Sequence, residues 1–206
     1  MTDIIFVLDE SASMRRHSDA YISGINAFIN TQKQFNPHSS FTMVKFNTTV
    51  TTLCVDSKIY TLPEFTREHY KPCGITAMYD AIGHAINLKY NDSIQNIIMF
   101  ILTDGYDNHS KKFNNVTVAE KIDYMKQRGW SFVYIATDQD AQKFGKNMNI
   151  DTCLTYSESD MSIAKIADAC NIAIGHAISR WSGNENPFSQ QEMPTDISDL
   201  MDNLSI

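Results

Sequence analysis

The sequence predicts a single three-layer, doubly wound α/β domain whose six-stranded sheet is mostly parallel, with one antiparallel edge strand. Short apolar runs alternate with segments of helical periodicity along most of the 206 residues, as expected for strands joined by crossover helices. Two of these runs, at residues 4–8 and 96–102, are almost wholly apolar and are typical of strands buried on both faces. The turn at residues 47–49 is too short for a crossover, so it must join antiparallel strands.

The first half of the chain contains three strands and one long helix. After the first strand, apolar residues at helical spacing predict an amphipathic helix over residues 14–34, which ends before Pro37. Strands follow at residues 41–46 and 50–55, and the second of these is expected at the edge of the sheet. Residues 57–75 form a long irregular link, and links of this length are often functional.

The second half alternates helices with strands. A helix follows Thr76, and the apolar run at residues 96–102 is the expected central strand. Next we expect a helix that starts at Val116 and ends at Gly129, followed by a strand at 130–136. A short helix at 140–146 and a short strand at 151–156 follow. The last expected element is a long helix that is capped by Ser157 or Asp160 and ends at Gly183.

Composition divides the chain into a domain at residues 1–183 and an acidic tail at residues 184–206. The tail has five acidic residues and no lysine or arginine, whereas the rest of the chain is close to neutral. Apolar residues at helical spacing between positions 197 and 204 predict either a short helix that forms on docking or a disordered end. The net charge of −7 argues against a nucleic-acid or anionic-membrane partner.

Cysteine usage and the N-terminal sequence indicate a cytoplasmic location. The four cysteines are widely spaced, show no zinc-binding pattern and are expected to stay reduced. No stretch has the length and apolarity of a membrane span, and the first apolar run lacks the flanks of a signal peptide. We therefore expect a cytoplasmic protein that binds neither membrane nor nucleic acid, while its composition implies no particular oligomeric state.

Oxygen-bearing side chains follow the two most apolar strands. Asp9, Ser11 and Ser13 come directly after the first strand, and Asp104 follows the central strand. Thr76 lies where the long link enters a helix. Because ligands bind outside the carboxyl ends of the strands in open α/β sheets, these five side chains are expected to converge there. Two carboxylates and three hydroxyls suit a hard divalent cation that takes only oxygen ligands.

Four of these five residues also have an ordinary explanation. Ser11, Ser13 and Thr76 are residue types that commonly cap helices, and Asp104-Gly105 is a common turn sequence. Their joint occurrence in this order nevertheless favours the metal site over four unrelated local roles.

The same residues resemble the metal-ion-dependent adhesion site of the von Willebrand factor type A domain. Residues 9–13 match that family's D-x-S-x-S motif, and residues 72–82 and 102–108 resemble its threonine and second aspartate segments. The resemblance covers about residues 2–183. Its one departure is Ile75, where many relatives have glycine.

The resemblance implies a bound Mg²⁺, with Mn²⁺ or Ca²⁺ as alternatives. It implies that Ser11, Ser13 and Thr76 touch the metal directly or nearly so, and that Asp9 and Asp104 often act through water. It further implies that an acidic residue of a partner protein completes the coordination shell.

Three functions fit these observations. The first is a non-enzymatic, metal-dependent protein-binding module. The second is a Mg²⁺-dependent phosphoryl-transfer hydrolase with Asp9 as the nucleophile, although Ser11 stands where one such phosphatase family has a second aspartate. The third is a scaffold in which the metal is only structural. The sequence contains no phosphate-binding loop, hydrolase elbow or zinc-protease motif, so we expect the binding module rather than an enzyme.

Partner choice is expected to lie in residues 57–74 and 106–112, because both segments border the open coordination position. Tyr60, Tyr70 and Tyr106 are candidate aromatic anchors. Basic residues near the same edge form either a collar that attracts an acidic partner or an ordinary solvated face. These residues are Arg15, Arg16, Lys71, Lys111 and Lys112.

Overall fold

The computed structural model of the chain describes residues 2–90, 96–137, 141–159, 163–183 and 196–197. Within these ranges it contains six strands and five α-helices. The strands are β1 (Asp3–Asp9), β2 (Ser40–Phe46), β3 (Val50–Lys58), β4 (Ile97–Thr103), β5 (Ser131–Thr137) and β6 (Thr152–Tyr156). The helices are α1 (Ser18–Phe35), α2 (Met78–Leu88), α3 (Asn115–Gln127), α4 (Ala141–Asn147) and α5 (Ile166–Ser182). Within the described ranges, none of these helices combines the length and apolarity that a bilayer crossing requires.

The strands form one sheet in the order β3-β2-β1-β4-β5-β6. Only the β2–β3 pair is antiparallel, which confirms the predicted three-layer α/β fold with its antiparallel edge strand. Every residue of β1 and of β4 is buried, as expected for central strands covered on both faces. Leu8 of β1 pairs with Leu102 of β4, so the two strands end side by side at one edge of the sheet.

Alternate residues of the strands face two separate apolar layers. Ile4, Phe6 and Leu8 pack in a layer with residues of α1 and α5, whereas Ile5 and Val7 pack with residues of α2 and α3. Burying each such side chain stabilises the fold by roughly 1.5–3 kcal/mol, so these two layers hold the sheet rigid beneath its carboxyl edge.

Three element boundaries differ from the sequence prediction. The long helix α5 begins at Ile166 with Lys165 at its N-cap position, whereas the sequence predicted a cap at Ser157 or Asp160. The chain after β1 begins with a 3₁₀ helix at Ala12–His17, where the Met14 N–H donates to the Ser11 carbonyl, and the α-helix starts only at Ser18. Strand β3 continues to Lys58 beyond an irregularity in its register with β2, followed by a 3₁₀ turn at Ile59–Thr61. Asp56, with φ of 51°, lies in this irregular stretch, which hydrophobic periodicity does not reveal.

The C-terminal region is described only in part. Gly183 ends α5 with φ of 64°, as predicted for a glycine at a helix C-terminus. In the predicted tail, Asp196 forms an isolated parallel bridge with Thr155, and Ile197 is fully buried in the layer that contains α1 and α5. The linker at 184–195 and the predicted tail helix beyond residue 197 lie outside the described residues.

A buried ion pair at the opposite edge of the sheet provides a test of this architecture. The Lys89 side chain is 1% exposed and donates to Asp3 and Asp56. Lys89→Ala leaves the buried Asp3 carboxylate without this partner, and we expect the free energy of unfolding to fall by about 3 kcal/mol in urea titrations at pH 7.

The control is Lys126→Ala, which removes an exposed ion pair with Asp151 and should cost less than about 1 kcal/mol. Equal losses for the two variants would contradict the structural role of Lys89.

Candidate metal site

The carboxylate of Asp9 is fixed at the end of β1 by hydrogen bonds to both of its oxygens. Its Oδ1 accepts from the Ser11 main-chain N–H at 2.6 Å, and its Oδ2 accepts from the Thr103 hydroxyl at 2.6 Å. Asp9 is 0% exposed. Because one donor comes from the loop after β1 and the other from the last residue of β4, this carboxylate joins the ends of the two central strands.

A chain of hydroxyl contacts continues from this point to Asp104. The Ser11 and Ser13 hydroxyl oxygens are 3.0 Å apart, and the Ser13 hydroxyl donates to Asp104 Oδ1 at 2.7 Å. Ser11 is buried, whereas Ser13 is exposed. The structure therefore brings together Asp9, Ser11, Ser13 and Asp104, and the outer end of the cluster faces solvent.

Thr76 lies at the same edge but outside this hydrogen-bonded chain. Its N–H donates to the Asn108 side chain at 2.9 Å, and its carbonyl accepts from the Asn108 and His109 N–H groups. The Thr76 side chain makes no hydrogen bond to another described residue. The loop before Thr76 is fixed to the D-x-S-x-S motif at residues 9–13, since the Ala12 N–H donates to the Gly74 carbonyl at 3.2 Å.

Gly74 permits a close approach between the loop before Thr76 and the turn that joins β2 to β3. Its φ is 74°, and a Cβ atom there would lie 2.4 Å from the Thr48 hydroxyl oxygen. A larger residue at this position is disfavoured by both the backbone conformation and the available space.

The structure does not support the helix-capping explanation for the motif residues. Ser11 precedes the 3₁₀ helix but makes no side-chain capping bond, and its hydroxyl contacts Ser13 instead. The N-cap position of α2 is Ala77 rather than Thr76. These three hydroxyl groups are therefore not used to satisfy helix N-termini.

The electrostatics and donor chemistry of the cluster fit a divalent cation. Burial raises the pKa of Asp9 from 3.8 to about 6, and the nearby charge of Asp104 adds to this. The pKa of Asp104 is also raised, chiefly by burial and further by the charge of Glu158. A cation would favour the ionised form of both groups.

The described residues contain no group of three or more His, Cys, Asp or Glu side chains placed to hold a metal. A metal here would therefore depend on hydroxyl oxygens as well as on two carboxylates. That donor set, with water in the remaining positions, suits Mg²⁺ better than a softer metal.

Several supporting residues were missed in the sequence prediction. The Tyr70 hydroxyl donates to the Asp9 carbonyl at 2.8 Å, and the Tyr156 hydroxyl donates to the Thr103 carbonyl at 3.1 Å. Tyr70 is 2% exposed, so its predicted role as an exposed anchor is wrong. Thr103 was identifiable only as the neighbour of Asp104, while nothing local in the sequence places Tyr70 or Tyr156 beneath the site.

Acidic side chains fix the segment after β4 through hydrogen bonds to main-chain N–H groups. The Asp80 carboxylate accepts from the N–H groups of Lys111, Lys112 and Phe113 at 2.8–2.9 Å. Burial opposes ionisation of Asp80, but these donors outweigh it, and the pKa lies below its ordinary value. Asp107 similarly accepts from the Tyr79 N–H at 3.2 Å.

Some basic side chains near the carboxyl edge of the sheet form contacts within the chain. Arg15 donates through two nitrogens to the Pro72 carbonyl, at 3.0 and 3.2 Å. Lys45, which the sequence did not single out, pairs with the buried Glu10 at 2.8 Å, and Glu10 also accepts from the Lys71 N–H. Arg15 and Lys45 thus fix the link against the first motif, whereas attraction of an acidic partner by the collar stays a prediction.

Comparison with known proteins reveals a family and several similar folds. The profile of the von Willebrand factor type A domain matches residues 3–169. Similar solved structures include the pilus adhesin SpaC from Lactobacillus rhamnosus GG, with TM-score 0.65 and 12% identity over 85% of this chain and 30% of that chain. A von Willebrand factor type A protein from Catenulispora acidiphila has TM-score 0.62 and 13% identity over 86% of this chain and 43% of that chain.

The manganese-loaded TRAP protein from Plasmodium vivax has TM-score 0.51 and 22% identity over 72% of this chain and 62% of that chain. These identities are too low to indicate more than a shared fold. The chain spans less than half the length of the SpaC and Catenulispora chains. No curated protein matches the sequence significantly.

The buried Asp9 carboxyl predicts a pH dependence of the metal-free protein. Its pKa is higher in the folded state, at about 6, than the ordinary 3.8 of an unfolded chain, so ionisation disfavours folding as pH rises through this window. In EDTA, this group should make the protein about 1 kcal/mol more stable at pH 5 than at pH 7.

Urea unfolding of the wild type and of Asp9→Asn at both pH values measures the effect, because other titrating groups are common to the two proteins. The difference between pH 5 and pH 7 should be smaller in Asp9→Asn by this amount. An identical difference in both proteins would show that Asp9 is not the group responsible.

Proposed function

Because the chain belongs to the von Willebrand factor type A domain family, we propose that it is a metal-dependent protein-binding module. In this proposal a Mg²⁺ ion, with Mn²⁺ or Ca²⁺ as alternatives, is held at the carboxyl edge of the sheet. An acidic residue of a partner protein completes its coordination shell. The residues that would hold the metal are Asp9, Ser11, Ser13, Thr76 and Asp104.

The observation that carries the proposal is the hydrogen-bonded chain from Asp9 through Ser11 and Ser13 to Asp104. Hydroxyl and carboxylate oxygens from the ends of two neighbouring strands meet there without a basic side chain among them. Mg²⁺ would supply the positive charge that such a cluster lacks, and it retains positions for water or a partner's carboxylate. The exposure of Ser13 provides access from solvent.

Each candidate ligand has a distinct part in this arrangement. Ser11, Ser13 and Thr76 would offer neutral oxygens, while Asp9 and Asp104 would contribute charge directly or through water. Thr103 and Tyr70 would hold Asp9 in place, and Asn108 would hold Thr76. The manganese-loaded state of the structurally similar TRAP protein is consistent with a metal at such a fold.

The environment of Asp9 favours binding over phosphoryl transfer. A nucleophilic carboxylate must approach its substrate, whereas Asp9 is 0% exposed and both of its oxygens accept hydrogen bonds. A purely structural metal is disfavoured because the two central strands are already joined by the Thr103–Asp9 contact. A non-enzymatic role and the cytoplasmic location expected from the sequence are parts of this proposal.

Metal affinity tests the assignment of ligands. Isothermal titration calorimetry with MgCl₂ and MnCl₂ should show a single site, and Asp9→Ala should abolish the heat of binding while the protein stays folded. Ser13→Ala and Thr76→Ala should each weaken affinity at least about tenfold.

Ser182→Ala is the matched control, because Ser182 donates to the Ile178 carbonyl in α5, far along the chain from the site. Wild-type affinity in Asp9→Ala, or equal weakening in Ser182→Ala, would overturn the assignment.

The partner chemistry is tested by selecting displayed random peptides on the immobilised chain in Mg²⁺ and eluting them with EDTA. We expect the selected peptides to share an aspartate or glutamate. Replacing this residue by its amide should abolish binding, because a neutral amide is a poorer ligand for Mg²⁺.

Peptides that resist EDTA and tolerate this replacement would contradict the proposed mode of binding.

A further inference from the structure

A cavity of about 330 Å³ opens beside Asp104, between the loop after β4 and the loop after β6. Its size is at the lower end of the range for ligand sites, so it suits one side chain rather than a large molecule. Aromatic rings, carboxylates and hydroxyl groups line it. The lining residues used below are Asp104, Tyr106, Tyr134, Tyr156 and Glu158.

The charge lining this cavity is negative. Asp104 and Glu158 are both part of the wall, and neither forms an ion pair with any residue in the described part of the chain. Among the described residues, only Ser13 donates a side-chain hydrogen bond to the Asp104 carboxylate. In the proposed complex, Asp9, Asp104 and the partner's carboxylate together outweigh a divalent cation by one negative charge, and Glu158 adds another.

Three tyrosines make up the aromatic part of the wall. Tyr106 is 48% exposed, and its ring is packed against Phe144 with 4.3 Å between centroids. Tyr134 and Tyr156 are 1% and 2% exposed and form the inner wall of the cavity. The Tyr134 hydroxyl has only a 3.9 Å contact with the Met78 sulfur within the described structure. Aromatic rings combined with carboxylates favour an organic cation over an anion or a purely apolar group.

From this combination we propose that the cavity, here called the cation pocket, accepts a lysine or arginine side chain of the partner protein. The proposal rests on the proposed function, because the same partner would place its acidic residue on the metal beside Asp104. The partner would then be recognised by an acidic and a basic side chain that reach adjacent positions. Specificity would come from this pair rather than from the metal contact alone.

The cation pocket can be tested without the natural partner. The probes are butylguanidinium and butylammonium chloride, which reproduce the ends of arginine and lysine, and butylurea serves as an uncharged control. Each is titrated into the full ¹⁵N-labelled chain at constant ionic strength, first in EDTA and then in Mg²⁺ with acetate. Amide shifts of Gly105, Tyr106, Thr137 and Ser157 report occupancy, because these residues line the cavity.

We expect at least one of the two cations, but not butylurea, to shift these amides in a saturable way. Glu158→Gln should weaken binding by about two- to fivefold, the range for the loss of one exposed charge pair. Tyr106→Leu should also weaken it, by removing a ring face. Glu120→Gln is the matched control, since Glu120 is an exposed residue of α3 that lines a different groove.

Equal shifts with butylurea, shifts centred elsewhere, or no effect of Glu158→Gln would overturn the cation pocket. These outcomes are separate from failure of the proposed function, because the titration in EDTA requires no metal. Cation binding in EDTA without any metal binding would sustain the pocket and contradict the metal-dependent module. Metal binding without cation binding would contradict the cation pocket and leave the metal-dependent module supported.

Discussion

Burial of the Asp9 carboxylate at the end of β1 is the constraint on which the rest of this edge depends. A carboxylate with no access to solvent must have its oxygens satisfied by protein donors, by a cation or by protonation. Here the Ser11 N–H and the Thr103 hydroxyl donate hydrogen bonds to the two carboxylate oxygens. The raised pKa of Asp9 shows that these donors do not fully offset the cost of burying its charge. The site is thus assembled around a group that a cation would stabilise further.

The surrounding architecture can be understood as support for this group. The parallel pairing of β1 with β4 places Thr103 beside Asp9, and two buried tyrosines hold the carbonyls of these same two residues. Tyr70 comes from the long link and Tyr156 from β6, so distant parts of the chain converge beneath the motif. The link is therefore part of the framework of the site. Its replacement by a flexible loop would remove the Tyr70 contact as well as any partner surface.

The fold and the outline of the site were accessible from the sequence because both depend on local patterns. Wholly apolar runs identify β1 and β4, and the oxygen side chains that follow them belong to the carboxyl edge by the rules of parallel sheets. The 3₁₀ start after Ser11 and the irregular extension of β3 were not accessible, because neither leaves a periodic signal. Tyr70 was wrongly expected on the surface, since sequence alone cannot separate a tyrosine that packs under a loop from one that projects out of it.

The position of a bound ion decides whether the cluster around Asp9 is a metal site. Mn²⁺ is paramagnetic and broadens nearby amide signals, so a ¹⁵N-labelled sample titrated with substoichiometric Mn²⁺ locates the ion without a partner. We expect selective broadening of Ser11, Ser13, Thr76 and Asp104, with competition by excess Mg²⁺ and loss of the effect in Asp9→Ala. Broadening centred on another acidic surface, such as Asp151 near the start of β6, or broadening that persists in Asp9→Ala, would contradict a metal site around Asp9.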